Sequence, residues 1–515
     1  MPYTRGMPWI GPEARADSPI LGLFRPPLSI SVGRLAPRRQ LYGAVVPALL
    51  LGVALLAYLS QTEGMFAFAA FALGLISLYS FGDLLFGKSA ISCGKIVAVG
   101  LLMEYGLTSL NTWFSIRGRS GSLSAFVEED QATLSIGIAV LAVSAALLFL
   151  MGEWAEREVA IDLGPVATTE QAKWFVLVSF AIVVVAFLRG DLTYMGESHS
   201  QNGKISVLSA LAGWLVAPLF GMTVAVALSA KDRWQKVAFW ALAAAQAVLA
   251  VPLGRRIFLY TMFVGGVAAR FGPIRRKGIV WKRVIVVGLG IGGMYVASIA
   301  FLYLRVATYE LDVNPSLGAI VTEAYRVSQT TNYTVISASL RENAIERGFI
   351  LGWFSDLIKQ SETHKTAEGQ DIADAMIMQI PSAIWKEKLA NLPPGEEDLA
   401  NSVFGTNYPD QANSVLTAGA VDFGVAGAIL YPLVAAGMIS IFLRMMAAYT
   451  RPLTAAIVTL AAIYLMLNVE EGFEIYFVFV RNSILFAFIL HVTGRFRPAW
   501  RRSAGNIPVA ASFPQ

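Results

Sequence analysis

The sequence is short of charge and nearly free of the residues that build transition-metal sites. Asp, Glu, Lys and Arg make up 15% of its 515 residues, against roughly 25% in a soluble domain. A soluble surface depends on such charges to stay in solution. With 56% hydrophobic residues and a mean hydropathy of +0.59, the deficit excludes a soluble enzyme, a nucleic-acid-binding protein and a disordered chain. One cysteine, Cys93, excludes an intrachain disulfide framework and a cysteine-based metal cluster. The three histidines, His199, His364 and His491, lie far apart in the chain. No metal and no cofactor are therefore expected.

Long apolar runs are what the chain has instead. A spanning helix needs about 20 mostly apolar residues, because the hydrocarbon core is about 30 Å thick and a helix rises 1.5 Å per residue. Runs at 41–59, 65–86, 92–114, 132–151, 173–188, 207–228, 237–253, 257–271, 284–304, 425–443, 453–468 and 476–492 meet or approach this. The run at 92–114 is the weakest, because it contains Glu104. The expected fold class is an all-α polytopic integral membrane protein with about 12 transmembrane helices. Residues 1–40, rich in Pro and Arg, have no apolar core of a signal peptide and read as a flexible cytoplasmic tail. Helices 1–9 then occupy 41–304, a long loop 305–414, helices 10–12 415–494, and a second cytoplasmic tail 495–515.

The net charge of +5 is less informative than where the cations fall. An even number of spans places both termini on one side. On that side the tails and short loops hold about 25 Lys and Arg, against about 6 in the opposite short loops. Both termini are thus expected in the cytoplasm and the long loop outside. The densest anchor is Arg275-Arg276-Lys277 with Lys282-Arg283, whose simplest role is topology and contact with anionic lipid.

The long loop breaks the apolar pattern for about 110 residues, too many for a plain connector. Helical stretches are expected at 317–340 and 372–388, forming a small cap over the membrane. Several charges also sit at the outer boundary: Arg189, Arg255, Arg256, Arg305, then Glu470, Glu471, Glu474 and Arg481. Intramembrane charges are costly and point to function. An ordinary buried ion pair, such as Glu474 with Arg481, is the plainer reading. Concentration of charge at one interface suits an amphiphile with a charged head better than an ion relay through the midplane. The pattern Gly288-Leu-Gly290-Ile-Gly-Gly293 spells a dinucleotide-binding fingerprint. It lies inside a spanning run with no soluble strand before it, so close helix packing explains it.

Three local patterns resemble the O-antigen and exopolysaccharide repeat-unit polymerase family. They are Leu253-Gly254-Arg255-Arg256, the loop stretch Ile380-Pro381-Ser-Ala-Ile-Trp385-Lys386-Glu-Lys388, and Ser414 to Gly427 with its Phe423-Gly424-x-x-Gly427 core. Arg189-Gly190-Asp191 is a weaker echo, and the Lys-Glu-Lys of the second stretch departs from the family pattern. The resemblance implies a GT-C-like architecture and an inverting, metal-independent glycosyl transfer at the periplasmic face of the bacterial inner membrane. Donor and acceptor would be glycans on undecaprenyl diphosphate, and partners a chain-length regulator and a repeat-unit flippase. Such a reaction needs guanidinium groups for the diphosphate, for which Arg255, Arg256, Arg305, Arg326 and Arg341 are the candidates. It also needs one general base, open among Glu323, His364, Asp422, Glu470 and Glu471. Loop aromatics such as Trp353, Trp385 and Tyr408 could stack on sugars or form the loop's own core. An O-antigen-ligase-like transferase is the nearest alternative. A flippase for the same lipid is another, although the repeated halves of many transporters are not evident.

Overall fold

The structure, a computed structural model, describes residues 37–60, 62–87, 91–110, 130–154, 163–189, 207–271, 280–311, 317–331, 349–380, 393–407 and 413–493, with 192, 334, 338 and 385. Every regular element among them is helical. In chain order these are α1 (Pro37–Tyr58), α2 (Glu63–Phe86), α3 (Cys93–Leu101), α4 (Gln131–Trp154), α5 (Leu163–Ala167), α6 (Glu170–Leu188), α7 (Val207–Ser229), α8 (Arg233–Ala250) and α9 (Arg255–Phe271). There follow α10 (Val280–Glu310), α11 (Leu317–Thr330), α12 (Phe349–Thr363), α13 (Gln370–Ile377), α14 (Glu396–Phe404), α15 (Val415–Tyr449), α16 (Pro452–Leu467) and α17 (Phe473–Thr493).

Among the described residues, seven helical stretches are long and apolar enough to cross a membrane by length and composition. They are Gly64–Phe86, Cys93–Leu110, Gln131–Gly152, Glu170–Leu188, Leu211–Ser229, Val415–Tyr449 and Phe473–His491. Shorter apolar helices occupy Ala44–Tyr58, Ile257–Arg270, Tyr295–Ala307 and Pro452–Leu467. The helix over the 237–253 run carries Arg233, Lys236 and Gln246, which lower its apolar content. This is an all-α, membrane-embedded protein. Its outer surface agrees: Leu55, Phe68, Trp174, Leu188, Ile441 and Phe488 are all exposed, tolerable only where lipid replaces water.

Short polar side chains start many of the helices by accepting otherwise orphaned backbone N–H groups. Ser92 Oγ accepts from Lys95 N at 3.2 Å, Thr169 Oγ1 from Ala172 N at 3.1 Å, and Asp232 Oδ2 from Gln235 N at 3.0 Å. In the centre, α4 packs against α1, α3, α12 and α15. Small residues permit this. A Cβ on Gly137 would collide with Ser355 of α12, and one on Gly94 would press on the Leu148 carbonyl. Beyond Leu101, α3 widens into a π-turn, Leu102–Gly106, holding Glu104 and Tyr105. Tyr260 of α9 donates to Glu104 Oε2 at 3.1 Å, which gives the charge in that weak run a local partner.

The long segment between α10 and α15 differs from a cap lying over the membrane. Its helix α12 is sunk into the bundle, with Ile350, Leu351, Trp353, Phe354, Leu357 and Ile358 all buried. Trp353 and Phe354 are thus core residues, and Phe354 meets Tyr105 of the π-turn edge-on. The helix expected over 317–340 ends at Thr330, and that over 372–388 ends at Ile377. The Gly-x-Gly-x-x-Gly pattern lies inside α10, but Gly292 and Gly293 are exposed and an added Cβ would meet nothing within 4 Å, so close packing against another helix of the chain does not account for them.

Candidate functional site

The break in α15 organises the site. Phe423 and Gly424 leave helical geometry, Gly424 at φ 60° and ψ −139°, a region open essentially to glycine alone. The leg at 415–422 folds back on the leg that follows. Gly419 and Gly427 touch where the legs cross, and a Cβ on either would overlap the other's carbonyl. Ser414 begins the first leg with a capping box. Its hydroxyl accepts from Leu416 N and Thr417 N, while Thr417 Oγ1 accepts from Ser414 N at 2.7 Å. Every residue from Ser414 to Asp422 is buried.

Asp422 closes that short leg, and the segment entering α13 wraps its end. Ala367 N donates to Val421 O at 2.9 Å and Glu368 N to Asp422 O at 3.0 Å. The chain then turns through two left-handed residues, Glu368 at φ 54° and Gly369 at φ 93°. The turn aims the N-terminus of α13 at the Asp422 carboxylate. Asp371 N donates to its Oδ1 at 3.0 Å, Ile372 N to its Oδ2 at 3.2 Å, and Tyr431 Oη to Oδ2 at 2.6 Å. A fully buried carboxylate is tolerable on these terms, since N–H donors, a hydroxyl and a helix N-terminus replace its water.

Around this clamp the chain collects more carboxylates. Asp371 is half-buried on the first turn of α13. Burial, followed by the carboxylates of Asp422, Asp374 and Glu474, pushes its pKa up to about 7. Asp374 is raised in the same way, by burial and then by Asp422. Glu396, at the start of α14, accepts from Thr417 Oγ1 at 2.5 Å. Burial and the nearby Asp371 hold its carboxyl well above the ordinary range. Among the described residues, a cation stands by this acidic surface. Arg481 on α17 donates to the Gln379 carbonyl at 3.4 Å and to Asn482 Oδ1 at 3.2 Å. Gln379 Nε2 reaches back to the Glu474 carbonyl at 3.5 Å, tying the end of α13 to α17.

The sequence candidates divide. Asp422 belongs to the site, but both its oxygens are engaged in holding α13. Glu470 and Glu471 lie in the turn before α17, where Glu471 Oε1 accepts from Asn468 Nδ2 at 2.8 Å. His364 is exposed at the end of α12, its Nδ1 2.9 Å from Thr363 Oγ1 and its ring against Phe404. Glu323 and Arg326 on α11 bond each other, and Arg326 also reaches Glu310 Oε2 at 2.6 Å. The Arg326 guanidinium holds the Glu323 carboxyl below its usual range, which weakens it as a base. Arg305 is half-buried near the end of α10. Arg341 and the side chains of Arg255 and Arg256 lie outside the described residues, as does most of the stretch after Ile380. Among the described residues no group of three or more His, Cys, Asp or Glu is placed to hold a metal ion.

Asp371 and Glu396 are the residues that reading the sequence missed. Acidic residues in the first turn of a helix are ordinary there. Nothing in the local pattern distinguishes these two. Only the fold, by bringing the starts of α13 and α14 onto the broken helix, makes them a cluster. Comparison of the chain with protein-family models, with curated proteins and with solved structures finds no match to any of them.

Proposed function

We propose that this protein is a glycosyltransferase of the bacterial inner membrane that polymerises oligosaccharide repeat units carried on undecaprenyl diphosphate, for O-antigen, capsule or exopolysaccharide. In this reading about 12 helices cross the bilayer. Both termini are cytoplasmic, and the acidic cluster faces the periplasm in a GT-C-like arrangement.

The observation that carries the proposal is Asp371. It is a half-buried carboxylate with a pKa of about 7, crowded by other carboxylates, beside a helix that supplies a guanidinium. A base poised near the working pH is what activation of a sugar hydroxyl needs. The acceptor hydroxyl attacks the anomeric carbon and its proton passes to Asp371. The bond from that carbon to the diphosphate oxygen breaks, and the diphosphate leaves with the electron pair. Arg481, whose guanidinium bonds a carbonyl and an amide side chain among the described residues, is suited to stabilise the departing phosphate. Arg305, Arg255 and Arg256 are further phosphate ligands in the same reading. Asp422 acts as a positioning residue that fixes α13.

The test is incubation of the purified protein with lipid-linked repeat units alone. Lengthened glycans support the polymerase. Product formed only when a lipid A core acceptor is added would replace it with a ligase, and translocation without new bonds with a flippase.

A further inference from the structure

We infer that Glu396 works as a neutral carboxylic acid, donating the hydrogen bond that pins the start of α14 to the first leg of the broken helix and letting go when it loses its proton. This holds whether or not the protein transfers sugars.

The protons available at Thr417 require it. A threonine hydroxyl has one proton to give and two lone pairs to receive. Thr417 Oγ1 accepts from Ser414 N at 2.7 Å, and it lies 2.9 Å from the Ser414 carbonyl oxygen and 2.5 Å from Glu396 Oε1. With Glu396 ionised, a single proton would face two acceptors, and one of these close oxygen pairs would have no hydrogen between its atoms. Thr417 is fully buried, with no surface on which water could make up the difference. The Ser414 hydroxyl does not supply the proton either. It accepts from Leu416 N and Thr417 N, and its own proton has Tyr105 Oη at 2.6 Å. With Glu396 protonated, its O–H fills the second lone pair of Thr417 Oγ1. The Thr417 proton then goes to the Ser414 carbonyl, which is already bonded by Ala418 N at 2.9 Å and has a lone pair left. Both contacts become hydrogen bonds.

The surroundings favour the same state. Besides Thr417, Glu396 meets the turn before α17, where a Cβ on Gly472 would lie 3.0 Å from its Oε2. The charged groups around it are acidic. Asp371 of α13 and Asp422 of α15 act on it directly, Glu397 and Asp398 follow it on α14, and Glu470, Glu471 and Glu474 lie in or just after the turn. Tyr105 of the π-turn feels its charge, and His364 of α12 meets α14 about two turns away, at Phe404. Among the described residues, no cation is among the groups that shift it. Burial, then Asp371, raise its pKa by more than the bonds from Thr417 and Ser414 lower it. Loss of the proton removes the donor and sets another anion beside Asp371 and Asp422. The start of α14 then parts from the leg that carries Asp422.

The sign of the pH effect follows. Above the ordinary glutamate value of 4.5 the unfolded chain gives up this proton while the folded protein keeps it, so stability falls as pH rises towards the folded value. Asp371 adds to that fall only up to about pH 7, and the part beyond belongs to Glu396. The experiment compares full-length wild type, Glu396→Gln and Glu396→Ala in detergent. The wild-type melting temperature should keep falling above about pH 7. That of Glu396→Gln, whose amide N–H donates to Thr417 at any pH, should stay level there and end above wild type. Glu396→Ala should melt below both at neutral pH, and if it fails to fold the other two proteins decide. The infrared difference between wild type and Glu396→Gln at neutral pH should contain the C=O band of a protonated carboxyl. Absence of that band, an alkaline fall unchanged in Glu396→Gln, or a Glu396→Gln protein no more stable than Glu396→Ala would each overturn the inference. No readout uses turnover. An inactive wild type that shows the alkaline fall and the band sinks the polymerase reading alone, and an active one that lacks them sinks the role of Glu396 alone.

Discussion

Buried charges collect near both ends of α3, on opposite terms. On its first turn, Lys95 is buried and paired with Asp83 of α2. Arg270 of α9 donates to the carbonyls of Asp83 and Leu84 at 2.7 and 2.6 Å, capping the end of α2. Cation meets anion there, and the carbonyls of the last turn of α2 meet a guanidinium. About 15 Å along the axis, Tyr105 Oη lies 2.6 Å from Ser414 Oγ, at the start of the broken helix. Around that helix carboxylate meets carboxylate: Asp422, Asp374 and Glu474 raise Asp371, Asp422 raises Asp374, and Asp371 and Asp422 raise Glu396. A matched cluster locks three helices together. Like charges crowded together work against the fold, and an arrangement of that kind is what supports the reactive role proposed for this cluster.

Two substitutions test this division most sharply. Asp371→Asn should lower polymer formation by about 100- to 10,000-fold, the usual worth of a general base, while the protein stays folded. Lys95→Met should do the opposite, costing about 3 kcal/mol of stability by leaving Asp83 without its cation. Thermal unfolding in detergent reads the second and lipid-linked product length the first. A Lys95→Met protein as stable as wild type, or an active Asp371→Asn protein, would collapse the distinction.

A smaller effect follows from pH. The folded-state pKa of Asp371, about 7, exceeds the ordinary value of 3.8 for an aspartate. Between those values the folded state binds more protons than the unfolded state, so stability falls as pH rises. Asp371 therefore contributes a loss of stability between about pH 4 and pH 7, and Asp371→Asn should flatten that part of the melting-temperature profile. The activity of the wild type should rise over the same range as the base loses its proton. An unchanged profile in the variant would assign the slope to other carboxylates, Glu396 first.

The helices and the site were legible to different degrees, for physical reasons. Every apolar run falls on a helix among the described residues, because burial in lipid demands length and apolarity, and both are visible in one dimension. The pattern around Phe423-Gly424 marked a real feature, although the apolar run placed the spanning helix only after it, at 425–443. In fact the helix begins at Val415, folds at Gly424 and crosses itself at Gly419 and Gly427. Helix α12 went unseen because Phe349–Thr363 is too short to span and carries Asp356 and Lys359, so its burial comes from its neighbours alone. Asp371 was hidden more deeply. Its significance lies in the approach of Asp422, which is 51 residues away in the chain, and no local pattern records that.

The smallest expected effects lie on α11, where the comparison can be broken from outside. Glu323, Arg326 and Glu310 form an ion-paired group whose arginine side chain is 59% exposed. Exposed pairs of this kind add little to stability, so Glu323→Gln should leave the melting temperature close to that of wild type and polymer formation within about a factor of two. The same holds for Arg326→Gln if its guanidinium stays engaged by its two carboxylates. The sequence placed Arg326 among the diphosphate ligands, and a ligand must leave those carboxylates for the phosphate during the reaction. Polymer lost in Arg326→Gln but kept in Glu323→Gln would mean that it does so. The chemistry would then extend from the acidic cluster onto a charge-matched surface, and matching alone would no longer separate structural charges from reactive ones.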